Sequence, residues 1–144
     1  MRLLTLAIFA VVAARPVLQT PEVPPVVRAG LDAYKAGDIG AALDVWFKNS
    51  PAPRQTIPTT RGAFEQVEAS YGHMTGYDLL EVVPFGTHAT RTYAILLYEK
   101  GPVYAWFDCF KTGDGWILTG FLFNTKPDLI LPATMLGHVP QPPN

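Results

Sequence analysis

Asp108 sits inside an apolar, aromatic stretch, VYAWFDCFK, where a carboxylate needs an explanation. Burial among rings disfavours the charged form of a carboxyl group. It would raise the pKa toward the range useful for proton transfer. Arg91 offers a second explanation. Strand parity places it diagonally across the same face of the sheet, where the two charges would neutralise each other as a structural ion pair. That pairing accounts for both residues without catalysis, and it is the expectation. Tyr34, Tyr71, Tyr77 and Tyr93 could add hydroxyls to a pocket, but tyrosines of this kind commonly serve as packing residues with a polar tip.

Other chemistries lack their residues. His73, His88 and His138 fall in a loop, near a strand start and in the tail, and no HExxH or clustered Cys/His spacing is present, so no metal site is expected. Ser50 and Ser70 are the only serines, and neither lies in a G-x-S-x-G elbow. The glycines fit turns, and no phosphate-loop or dinucleotide fingerprint occurs, so no cofactor is expected. Cys109 is the single cysteine, which excludes an intramolecular disulfide and reads as a small buried strand residue.

The elements that must position Asp108 and Arg91 are strands. RTYAILLY, VYAWFDCFK and WILTGFLFN follow one another, punctuated by Gly101-Pro102 and Gly113-Asp114-Gly115. A plausible earlier strand, residues 77–83, ends at Pro84 and Gly86. Ahead of these the hydrophobic period is helical. Val27, Leu31 and Tyr34 mark a helix over residues 26–35. Ile39, Ala42, Leu43 and Trp46 mark a second over 39–48, capped by Asp38. Phe64, Val67 and Tyr71 mark a third over 61–71, capped by Thr60 after a Pro-rich loop. The first pair has the look of one tetratricopeptide repeat, but no second copy follows. Three helices and then an uninterrupted four-stranded antiparallel meander predict an α+β fold.

Register parity sorts the strands into two faces. One carries Arg91, Tyr93, Tyr104, Trp106, Asp108, Phe110, Phe121 and Phe123; the other carries smaller residues such as Ala94, Leu96, Ala105, Cys109, Gly120 and Leu122. The smaller face suits close-lying helices. Of the bulky face, Tyr93, Tyr104, Trp106, Phe110, Phe121 and Phe123 are the expected lining of a ligand pocket or a dimer interface. A one-residue bulge would swap part of this assignment.

Both ends of the chain have their own signals. Arg2, an apolar run over residues 3–12 and Val12-Ala13-Ala14 predict an export signal over 1–14, with an uncleaved anchor as the alternative. The apolar run is shorter than the roughly 20 residues of a membrane span, so none is expected after cleavage. Removing Arg2 leaves 10 basic residues of the 11 against 12 acidic ones, a net charge of −2, which argues against a nucleic-acid partner. Residues 15–25 read as an extended linker, 26–131 as one domain, and 132–144 as a Pro-rich tail.

AYKAGDIGAALDVWF and GPVYAWFDCFKTGDGWILTGFLFNT, with three helices before a curved meander, resemble the nuclear transport factor 2-like (cystatin-like) superfamily over about residues 26–131. The likeness is to its exported bacterial members of unknown function. It implies a cone with a pocket between helices and sheet. The superfamily hosts dehydratases, isomerases, cyclases and non-catalytic binding modules, so fold alone does not give function. Two functions stay open. One is an exported, periplasmic or secreted, non-catalytic module for an apolar ligand or protein partner, with a homodimer as one form. The other is a cofactor-independent lyase or isomerase using a pocket acid/base such as Asp108. No extra strand interrupts the helices, so the cone is expected to be shallower than in many members.

Overall fold

The computed structural model describes residues 21–137. The expected export signal, His138 and the end of the tail lie outside them. Pro25 opens α1, Pro25–Ala36, at a position where its missing N–H is harmless. Val27, Leu31 and Tyr34 form its buried stripe. The Asp38 carboxylate accepts from the Ala41 N–H at 3.0 Å and so caps α2, Ile39–Phe47, which buries Ile39, Ala42, Leu43 and Trp46. The two helices meet where Gly30 faces the Trp46 indole, and a Cβ at Gly30 would clash with the indole Nε1, closer than any real Cβ comes.

α3 runs Thr56–Tyr71, five residues longer at its start than the sequence suggested. Pro58 falls in the first turn, where helical N–H groups have no partner anyway, so it does not delay the helix. Thr60 is therefore an interior residue and not the cap. Gly72, with φ 82°, ends the helix and turns the chain into the sheet.

The sheet is an open antiparallel meander in the order β1-β2-β3-β4. Its strands are β1, Met74–Phe85, β2, Ala89–Tyr98, β3, Gly101–Thr112, and β4, Gly115–Asn124. β1 passes through Pro84 because it is an edge strand, which can spare an N–H. The loop between β2 and β3 is Glu99-Lys100, so Arg91 lies directly opposite Asp108 and not diagonally.

The helices cover the face of Ala94, Leu96, Val103, Ala105, Phe107, Cys109 and Leu118, all buried. A register shift beside Thr119 corrects the expected faces in β4. Cys109 pairs Leu118, but Asp108 pairs Gly120, so Thr119 is one extra residue. Beyond it Phe121 and Phe123 turn to the helix side, and Gly120 and Leu122 turn away. Phe121 then lies 5.6 Å from Trp46 and 6.0 Å from Phe107, ring centre to ring centre, and Phe123 stacks on Phe64 at 4.2 Å.

After β4 the chain returns over the outer face. Short 3-10 turns form at Pro127–Leu129 and Ala133–Met135, the second inside the Pro-rich tail. Ile130 and Leu131 between them are buried against Val83, Tyr93, Tyr104 and Trp106. The backbone N–H groups of Leu129, Ile130, Leu131, Met135 and Leu136 bond within the segment or to Lys126. This strap is therefore held to the sheet by apolar burial.

Candidate functional site

The helical stripe that meets β4 changes size along α3. Thr56, Thr59, Thr60 and Ala63 follow the i, i+3, i+4, i+7 pattern, and all are small. Phe64 and Val67 then take over and fill the core. Where the small residues pass β4, the helix does not reach the strand. A groove of about 360 Å³ remains between them. Residues 118–123 form its other wall, and Phe47, Ser50 and Ala52 close one end. The Thr119 shift is what brings Phe121 and Phe123 into this groove.

No charged side chain lines the groove. The Thr59 hydroxyl donates to the Gln55 carbonyl at 3.4 Å and the Thr119 hydroxyl to the Asp108 carbonyl at 3.2 Å. With those hydroxyls turned to backbone, the groove offers an apolar surface with few polar groups. Such a site suits an apolar ligand group. A neighbouring notch of about 270 Å³ shares Phe47, Ser50 and Ala52 and carries Asp44, Lys48 and Arg54.

The outer face holds the rest of the expected residues. Arg91 donates from Nε to Asp108 Oδ1 and from Nη2 to Oδ2, both at 2.7 Å. Its guanidinium carbon lies 4.1 Å from the Trp106 ring centre. The bond to Asp108 pushes the Arg91 pKa further above its usual range, against a smaller opposing effect of burial. Tyr93, Tyr104 and Trp106 gather beneath the strap. Phe110 stands at the open end of this face beside His88, 44% exposed. The six expected lining aromatics are thus divided by the sheet: Phe121 and Phe123 are in the groove, the other four on the opposite face.

A buried hydroxyl chain joins helices to sheet. The Tyr34 hydroxyl donates to Glu68 Oε1 at 2.9 Å and lies 2.9 Å from the Tyr98 hydroxyl. Burial pushes both tyrosines up, Tyr98 to about 12. Burial first, then the Asp108 charge, pushes the Cys109 thiol to about 12. Cys109 is therefore a neutral packing residue at physiological pH. Among the described residues no three His, Cys, Asp or Glu side chains group to hold a metal ion. No described helix is long and apolar enough to cross a membrane.

Sequence pattern misses the groove's threonines because residues 56–60, with Pro58 among them, look like a loop and cap. Their small-residue stripe was the available signal. Glu68 gave none, since a helical glutamate is ordinary. No family model matches this chain, and searches of curated proteins and of solved structures return no significant match.

Proposed function

We propose that this chain is an exported, non-catalytic binding module whose α3–β4 groove takes an apolar group of a ligand or protein partner. The uncharged groove lining is the observation that carries this reading. Asp108 is read as structural, because a bidentate guanidinium already holds both its oxygens. The three helices on a four-stranded antiparallel meander support reading the molecule as an open form of the nuclear transport factor 2-like cone. Export rests on Arg2, the apolar run and Val12-Ala13-Ala14.

Native mass spectrometry of protein recovered from its source should show a mature chain starting at Arg15 with an apolar ligand or a partner retained. In parallel, neutral N-phenyl-1-naphthylamine should fluoresce on binding. Ala63→Phe, which fills the groove, should abolish that signal in a folded protein. Undiminished binding by folded Ala63→Phe would remove the groove from the proposal.

A further inference from the structure

The two edges of the sheet are built differently. Exposed edge backbones recruit other strands unless charge, proline or irregularity prevents it. β1 carries all three devices: Asp78 and Glu81, Pro84, and shifts at Met74/Gly76 and Leu79/Glu81. β4, GWILTGFLFN, has no charge and no proline. Its single irregularity at Thr119 leaves residues 120–124 regularly paired with β3, and among the described residues no strand pairs with its other side.

The groove runs along this same open edge, over residues 118–123. Six strand residues span about 20 Å, which fits a short extended segment and not a globular surface. A segment laid there would bond β4 through alternate backbone groups. Its side chains would point in turn into the groove and toward Leu122 on the far side. Matching the uncharged groove requires uncharged groove-facing side chains. A second copy's β4 fits poorly as occupant. Its own Phe121 and Phe123 are already engaged with Trp46 and Phe64 beneath its own helices.

Resting on the groove reading above, we propose that the occupant is an extended peptide segment of a partner protein, apolar at alternate positions, which adds to β4 as a fifth strand. Main-chain bonds supply affinity and the groove reads alternate side chains.

The test titrates ¹⁵N-labelled protein with two synthetic peptides. One alternates valine and threonine between terminal lysines; the other is the same with every valine and threonine N-methylated, so that neither edge keeps its donors. The first should shift the amides of residues 118–124 and of Thr56, Thr59, Thr60 and Ala63, and should slow β4 amide exchange. N-methylation should weaken binding by about tenfold or more, because backbone donors are lost and side chains are kept. Equal binding of both peptides overturns the proposal, as does no β4 shift at millimolar peptide. Concentration-dependent dimerisation that the peptide competes away also overturns it, in favour of a second copy. If naphthylamine enters the groove while the peptide does not, strand addition fails and the groove reading stands. If neither enters, both fail.

Discussion

Arg91 is held on two sides, by paired bonds to Asp108 and by the Trp106 ring. Both charged side chains keep about a third of their surface in water, 29% and 31%. Solvent therefore screens the pair, and its coupling should fall between exposed and buried cases. A double-mutant cycle with Asp108→Asn and Arg91→Met should give a coupling of about 1–2 kcal/mol by thermal melts. Additive losses would show that the two side chains do not couple. Asp108→Asn that melts normally yet loses turnover of some substrate would instead favour catalysis. The buried hydroxyls and thiol make a pH-dependent contribution. Tyr98 titrates at about 12 in the folded chain against 10.0 ordinarily, and Cys109 at about 12 against 9.0. Between those values the unfolded chain has released protons that the folded chain retains. Stability from these groups is therefore full below about pH 9 and falls as pH rises toward about 12. Tyr98→Phe should make that alkaline fall in melting temperature shallower; an unchanged slope would remove Tyr98 from the cause.

At the scale of elements, the helices and the meander were legible because their signals are local. The hydrophobic period switches near residue 75, and glycine or proline marks most boundaries. Two features were not legible, for different reasons. α3 begins at Thr56 despite Pro58, because first-turn proline is compatible with a helix and cannot be told from a loop proline by pattern. The Thr119 bulge reverses the facing of Phe121 and Phe123 inside a strand that is apolar on both faces. Alternation therefore had nothing to report, and the Thr119-Gly120 step was the only hint. The strap tests whether apolar burial alone fastens an element. Leu131→Ala should cost about 2 kcal/mol and raise the fraction of tryptophan fluorescence that iodide quenches, as Trp106 is uncovered. Unchanged quenching would mean that Leu131 does not hold the strap down.

For the whole molecule, one sheet serves two surfaces. Its helix side ends in the groove, and its outer side is part covered by the strap and part open at Phe85, Phe110 and Leu122, all exposed. The candidate site was only half legible. Phe121 and Phe123 were among the six aromatics named, but which surface each of the six belongs to depended on one residue of register. The order of the elements has a further consequence. Each strand pairs with its neighbour in sequence, so the sheet can assemble hairpin by hairpin without waiting for the strap. Ile130 and Leu131 come after every strand. A chain whose sheet closes before the strap docks therefore has a finished sheet and bare Tyr93, Tyr104 and Trp106. Transiently exposed apolar surface of that kind favours aggregation and engages chaperones. The interval between closing the sheet and docking the strap sets how long a folding chain stays in that state.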